Sequence, residues 1–256
     1  MTTKSQRIQQ LVEEGQTFFS APHEYQYLFV CARTLWRRER RLSRRKNTDR
    51  WPALRSVKAT NTKGKPIDFG VQIQKALRDH LAQLQKNRCC YCRRWLQNIA
   101  YARPVEHVLS RDEYPRFSLH YWNLAAACHD CNHRKSSHPW GTWHKHGYPS
   151  PRCIKDFFHP RFHDYDAHIR YVRVETNTIS VAVYLGLSPQ GRQLCRDLLG
   201  FISKVDALVH NNPRMSNAIT KIQGYGGKNE NRVATQRVDE FLDALNGAVY
   251  RLALKR

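Results

Sequence analysis

The stretch from Cys89 to Lys135 decides the fold: Cys89-Cys90-Tyr91-Cys92, then Glu106-His107, Asn123-Leu124, and Cys128-His129-Asp130-Cys131-Asn132-His133-Arg134-Lys135. Its two Cys-x-x-Cys pairs, Cys89/Cys92 and Cys128/Cys131, can supply four thiolates to one tetrahedral ion, the geometry of a closed structural zinc site. Between Cys92 and Cys128 lie 35 residues, more than a common zinc ribbon carries. Loop-closure entropy grows only slowly with length, so one metal can still tie the ends of such an insert together. Ile99 to Val108 reads as a strand, Leu109 to Tyr121 as a polar and aromatic loop, Trp122 to Ala127 as a second short strand and Asp130 to Ser137 as a helix. The order is strand, loop, strand, helix, and Asn132 and Lys135 fall on one face of the helix.

The chain around this stretch is strongly basic. Lys+Arg number 43 against 21 Asp+Glu, a net charge of +22 over 256 residues, with a pI of about 10.0. That much self-repulsion in a compact chain points to a polyanion as partner, with nucleic acid the default because each neutralised phosphate releases counterions. The apolar share of 41% and aromatic share of 11% are those of a folded protein able to bury a core. No run of eighteen apolar residues occurs and the N-terminus holds no apolar signal core, so no membrane segment is expected and the cytoplasm is the expected location. In a reducing compartment cysteine spacing is read for metal rather than for disulfides. Cys31, Cys90, Cys153 and Cys195 lack paired spacing, and most of them read as small buried hydrophobes.

Outward from the centre, four regions are expected: a basic helical segment over 1–70, the cysteine-clasped core over 71–140, an accessory segment over 141–200 and C-terminal helices over 201–256. Arg37, Arg38, Arg40, Arg41, Arg44 and Arg45 make a dense basic arm within Arg33 to Arg50, read as phosphate-contacting rather than as an ordinary solvated helix face. Lys58 to Pro66 reads as a loop. Ile73, Leu77, Leu81 and Leu84 trace one face of a helix that delivers the chain to Cys89. Ile169 to Glu175 and Thr178 to Leu185 read as a hairpin. Ser188-Pro189 and Gly200 bracket a helix as start and stop. Val238, Phe241, Leu242, Leu245, Val249 and Leu252 form an apolar stripe suited to core or subunit packing, preceded by Gly224-Tyr225-Gly226-Gly227. His138, His144, His146, His159, His163 and His168, with Asp164 and Asp166, read as polar and aromatic packing in preference to a second metal site. Trp140 and Trp143 read as a cover over the cysteine module, with base stacking as the competing role.

The quoted pattern over residues 86 to 138 resembles the zinc-bearing branch of the HNH endonuclease family, whose ββα-metal core has this order. The resemblance implies an α+β protein in which a four-cysteine zinc knot clasps that core, embedded in mainly helical surroundings with an additional β-hairpin. By the same resemblance His107 is the general base, Glu106 and Asn132 hold a catalytic Mg²⁺ or Mn²⁺, and Asn123 braces the loop that carries His107. Lys135, with Arg134 as the weaker candidate, should face phosphate. The residue types suit the chemistry: phosphodiester hydrolysis needs an activated water and a cation at the phosphate, and neutral His titrates near working pH. Two departures stand: the final family position, often His, is Asn132, and the acid before the base, often Asp, is Glu106.

His159-Pro160-Arg161-Phe162 through Asp166-Ala167-His168-Ile169, then the hairpin and Ser188-Pro189-Gln190-Gly191, resemble PtuB-like proteins of Septu-type antiphage systems over about residues 70 to 200. That resemblance implies a PtuA-like ABC-type ATPase as partner, in some systems within a retron with its reverse transcriptase and RNA/DNA. The residues leave alternatives open. Asn132 can cap a helix, and Glu106-His107 alone is an ordinary surface pair. DNA is favoured as substrate by family precedent, with a structured RNA such as tRNA as runner-up. A zinc-stabilised nucleic-acid-binding module without hydrolytic activity is the reading from another class.

Overall fold

The computed structural model describes residues 4–20, 26–61, 63–96, 104–135, 143–151, 154, 157–175 and 180–203, and these form a mixture of helices and small antiparallel sheets. Two compact units result: Met1–Ile154 with His159–Phe162, and Lys155–Phe158 with His163–Arg256. The C-terminal stripe and Gly224 to Gly227 lie outside the described residues, as do Ile99 to Arg103, His138, Trp140 and Cys153.

In the first unit α1 (Lys4–Ser20) and α2 (Gln26–Lys46) pack together. On α2 the buried positions Ala32, Leu35, Trp36, Glu39 and Ser43 recur every three or four residues, one stripe of a 3.6-residue period. The arginines fill the remaining faces. Leu11 and Phe18 supply the buried side of α1, and the Phe18 ring stacks on Tyr121 with centroids 6.4 Å apart. A short α3 (Trp51–Arg55) follows, with Pro at its first turn where a missing N–H costs nothing.

Lys58 to Pro66 is not a plain loop: β1 (Ala59–Thr60) and β2 (Pro66–Ile67) pair antiparallel across a turn that contains Gly64 at φ 73°. The Lys- and Gly-rich composition conceals a ribbon only two residues deep. Next, α4 (Phe69–Leu84) buries Ile73, Leu77 and Leu81 as its spacing predicts, while Leu84 stays 39% exposed at the helix end. Gly70 lets α4 touch α3: a Cβ there would sit 1.8 Å from the Leu54 carbonyl oxygen.

The chain then turns through Lys86 and Asn87, both at positive φ, into the first cysteine pair. β3 (Val105–His107) pairs antiparallel with β4 (Leu124–Ala126), in the register Val105↔Ala126, Glu106↔Ala125 and His107↔Leu124. Tyr121–Asn123 is a 3₁₀ turn rather than strand, and α5 (His129–Lys135) opens one residue before its expected start.

The second unit centres on β5 (Ile169–Glu175) and β6 (Ser180–Gly186), seven paired positions with Tyr171 opposite and stacked on Tyr184 at 5.1 Å. Such cross-strand aromatic pairs fix register on one face. The one-turn helix α6 (Tyr165–His168) precedes the hairpin, capped by Asp164, which accepts from the Asp166 N–H. Ser188 caps α7 (Pro189–Leu194) by accepting from the Gly191 N–H. Gly200 does not stop this helix: the chain passes through a π-helical turn at Cys195–Leu199 and stays helical to residue 203, Gly200 itself lying at φ −60° and ψ −38°. Leu194, Leu198, Leu199 and Ile202 are buried along that run, and their packing outweighs the glycine's weak propensity. Among the described residues no helix is long and apolar enough to cross a membrane.

Candidate active site and metal centre

Cys89, Cys92, Cys128 and Cys131 are all buried, and their sulfurs lie within 4.8 Å of one another. The first pair sits on a tight knuckle in which the Cys89 N–H donates to the Arg94 carbonyl at 2.8 Å and the Arg93 N–H to the Cys89 carbonyl at 3.2 Å. The second straddles the start of α5, with the Cys128 N–H aimed at Cys89 Sγ at 3.3 Å. Burial pushes the Cys89 thiol up, yet the thiols of Cys128, Cys131, Cys90 and Cys92 around it pull it well below its ordinary range. Hydrogen bonding to Cys128 together with burial pushes Cys92 up, and burial pushes Cys131 up. Four buried sulfur donors converging within reach of one ion are a donor set that fits a structural Zn²⁺. Cys90 and Tyr91 are buried between them, Cys90 donating its backbone N–H to the Ala126 carbonyl at 3.0 Å.

Three residue pairs are too few for β3 and β4 to hold themselves together in water. Two side-chain amides extend the ladder at its ends. At one end Gln85, just past α4, donates Nε2 to the Ala126 carbonyl at 2.7 Å and accepts the Ala126 N–H at 2.8 Å. At the other, fully buried Asn123 accepts the Leu109 N–H at 2.7 Å and donates Nδ2 to the carbonyls of Leu109 at 3.0 Å and Phe117 at 3.2 Å. Tyr148 donates its hydroxyl to the same Asn123 oxygen at 3.1 Å. The amide of Asn123 thus ties down both ends of the loop running from β3 toward Phe117.

His107 closes β3 at 9% exposure. Its Nε2 lies 3.0 Å from the Ser118 carbonyl oxygen. A carbonyl only accepts, so Nε2 carries the proton and the lone pair of the neutral ring is on Nδ1. Trp51 meets the ring edge-on at 4.9 Å and 87°. Asp49 holds this wall by accepting the Trp51 N–H at 2.8 Å and pairing with Arg111 at 2.8 Å. Burial holds the imidazole well below its ordinary range, aided by Arg111 and Lys135 and opposed by the bond to Ser118. Ser118 is itself gripped: its hydroxyl lies 3.2 Å from Ser43 Oγ on α2 and accepts the Arg50 N–H at 3.1 Å, while Ser43 donates to the Pro115 carbonyl at 2.8 Å.

Glu106 precedes His107 on the strand, and successive strand residues face opposite ways. Its carboxylate is 2.7 Å from Lys135 Nζ and accepts from the Tyr91 hydroxyl at 3.2 Å, all three side chains buried. Lys135 also donates to the His107 carbonyl at 2.9 Å. Burial raises the Glu106 carboxyl, and Lys135 and Tyr91 offset that only in part. Lys135, expected at phosphate, is buried at 5% exposure here with its charge directed at Glu106. Lys135 and Tyr91 both meet Glu106 at Oε1, so in this arrangement the buried carboxylate is neutralised by an ammonium rather than offered to a divalent ion. Asn132 does not cap α5 either; it lies inside the helix, half-exposed, its N–H donating to the Cys128 carbonyl at 3.0 Å. Arg134 is exposed.

On the basic arm, Arg37, Arg40, Arg41, Arg44 and Arg45 line one groove of about 730 Å³, joined by Arg116 and His146. Arg38 is outside that lining, 2.9 Å from Glu39, which also pairs with Arg50 at 2.6 Å. Sequence reasoning misses Gln85, Ser43, Ser118, Trp51 and the role of Tyr91, because each acts through a partner distant in sequence, and of these residues the first four carry no spacing signal. Tyr91 alone is within its reach, lying inside the first Cys-x-x-Cys.

Comparison with known proteins gives a partial likeness. The chain is 34% identical over 58 residues to the Septu protein PtuB of Bacillus thuringiensis, a stretch covering 23% of this chain and 23% of that protein. No protein-family model matches the chain, and no solved structure matches it. The chain thus has a local similarity to PtuB, on an α+β architecture with a buried four-cysteine cluster.

Proposed function

We propose that the chain is an HNH-type endonuclease that hydrolyses phosphodiester bonds of nucleic acid. One observation carries the reading: His107 ends a short strand beside the cysteine cage with its proton fixed on Nε2 by the Ser118 carbonyl, leaving Nδ1 as a held base. In that role Nδ1 takes a proton from the attacking water, and the Ser118 carbonyl stabilises the imidazolium that forms. Its depressed proton affinity keeps the ring neutral, and so competent as a base, at neutral pH. Zn²⁺ held by Cys89, Cys92, Cys128 and Cys131 is structural, fastening α5 and the knuckle to the strand pair. Asn123 is a positioning residue for the loop that supplies Ser118.

The resemblance also implies a catalytic Mg²⁺ or Mn²⁺ on Glu106 and Asn132. No step is assigned to that ion, because Lys135 must first leave Glu106. The similarity to PtuB supports a role in antiphage defence; a cytoplasmic location, a PtuA-like ABC-type ATPase beside the chain, and a retron reverse transcriptase with its RNA/DNA belong to the same proposal. DNA is the favoured substrate.

Purified protein, alone and with its ATPase, incubated with plasmid and with total cellular RNA in Mg²⁺ or Mn²⁺, tests the reading. His107→Ala is expected to keep its zinc and fold and to lose cleavage, and equal cleavage by the variant refutes the base assignment. Cleavage of RNA alone would move the substrate from DNA to RNA.

A further inference from the structure

The arginine groove opens beside a second cleft of different chemistry. That cleft, about 550 Å³, is lined by the aromatic rings of Phe19, Trp36 and Trp122 among other residues, and it shares Arg37 and Arg40 with the groove. A cationic trough and an aromatic slot therefore meet along one helix, α2. Among the described residues neither lining contains a carboxylate. The buried Nε–H of Arg40 and that of Arg116 have no acceptor among the described residues. Like charges crowded without counter-charge, with donors left over, make a site suited to a polyanion that carries its own acceptors.

A free polyphosphate would satisfy the arginines and leave the aromatic slot unused. An intact duplex presents phosphates, but its bases are stacked inside and cannot reach a side pocket. Unpaired nucleotides offer both parts at once: a phosphate backbone for the guanidinium groups and an exposed base face for the rings. From this juxtaposition we propose that α2 carries a binding site for single-stranded nucleic acid, phosphates along Arg40, Arg41, Arg44 and Arg116 and an unstacked base against Phe19 and Trp122, with the buried Trp36 as the floor beneath. The proposal rests on the nucleic-acid reading above and deepens it by naming an unpaired strand as the ligand. Arg116 lies two residues before Ser118, whose carbonyl holds His107, so the site and the base share one loop.

The test measures binding separately from chemistry, on the His107→Ala protein without added magnesium, by anisotropy of labelled 20-nucleotide strands. The single strand is expected to bind at least tenfold tighter than a duplex of equal length, and an abasic strand about tenfold more weakly than the natural one. Replacing Arg40, Arg44 and Arg116 together by Gln is expected to lower the slope of log K against log salt by about 2, three contacts at roughly 0.7 each for a single strand. Lys63, Lys65 and Lys75 replaced together by Gln make the same charge change outside the groove and are expected to leave that slope nearly intact. Equal binding of strand and duplex, equal binding of the abasic strand, or equal losses in the two triple variants would each overturn the site. So would displacement of the strand by inorganic triphosphate or by polyglutamate at matched charge. Wild-type protein that fails to cleave, while the strand preference holds, would sink the nuclease reading and leave this site standing.

Discussion

Exchanging the Asn123 amide for a carboxyl, Asn123→Asp, leaves shape unchanged and inverts one hydrogen-bond role. In the native chain Nδ2 donates to two carbonyl oxygens, Leu109 at 3.0 Å and Phe117 at 3.2 Å, while Oδ1 accepts from Leu109 N and Tyr148 OH. The new oxygen would face two acceptors in a site with no exposure. Only a protonated carboxyl can donate there, and to one carbonyl, so the folded state retains a proton that the unfolded chain releases above about pH 3.9. A fully buried carboxyl of this kind is raised by roughly 3 units, worth about 4 kcal/mol at about 1.36 kcal/mol per unit. Because the folded state binds more protons, stability falls as pH rises between the two pKa values. The deficit relative to wild type should be about 1.5 kcal/mol at pH 5 and about 4 kcal/mol at pH 8, plus about 1 kcal/mol at both for the second lost bond. For a chain of this size the widening corresponds to a Tm gap that grows by roughly 5–10 °C. Circular dichroism melts of both proteins across pH 5 to 8, with zinc content checked at each point, measure it. A gap that stays constant over that range would mean that Nδ2 does not face two carbonyls, and the loop would have lost its brace.

Other perturbations test separate joints. Lys135→Met strands the Glu106 carboxylate in the interior and should cost about 3–5 kcal/mol in urea unfolding, most of it recovered in the double variant with Glu106→Gln; a loss under about 1 kcal/mol would show a solvated pair. Cys128→Ser should abolish stoichiometric zinc and open residues 89–135 to protease, because structural zinc contributes on the order of 10 kcal/mol to such sites. One zinc retained per chain with an unchanged melt would break the four-sulfur assignment. Gly70→Ala should shift the urea midpoint without changing its slope, at a cost of about 2 kcal/mol or more, since the new Cβ meets the Leu54 carbonyl at 1.8 Å.

What can be read in the sequence is whatever repeats at a fixed interval. The cysteine pairs, the i, i+4 leucines of α4, the hairpin of β5 and β6 and the Ser188 cap all appear in the structure, because their signals are local. Lys135 escapes such a reading because a Lys on a short helix after a cysteine knuckle looks solvent-facing; its burial depends on Glu106 and Tyr91, which arrive from two other segments. Asn123 reads as a brace by resemblance, yet spacing cannot name its partners Phe117 and Tyr148. Composition alone makes Gly200 a helix stop, whereas the packed run Leu198, Leu199 and Ile202 carries the helix past it.

The placement of His107 follows from a chain of buried contacts rather than from its own strand. A three-residue strand pair leaves its last side chain free to swing, so the ring direction must be set from outside. The Ser118 carbonyl sets it, and Ser118 is fixed on its hydroxyl side by Ser43 and Arg50, at the end of the arginine helix. Ser43 and Ser118 are both fully buried, so a shift of α2 cannot be absorbed by water between them. The same helix that gathers the arginines therefore also sets the angle of the imidazole. Ser43 holds both Pro115 and Ser118 to α2. The arginine-bearing helix and the His107 ring are in this way parts of one packed network, joined through Ser43 and Ser118, which is how a basic arm so far from His107 in sequence comes to be coupled to it.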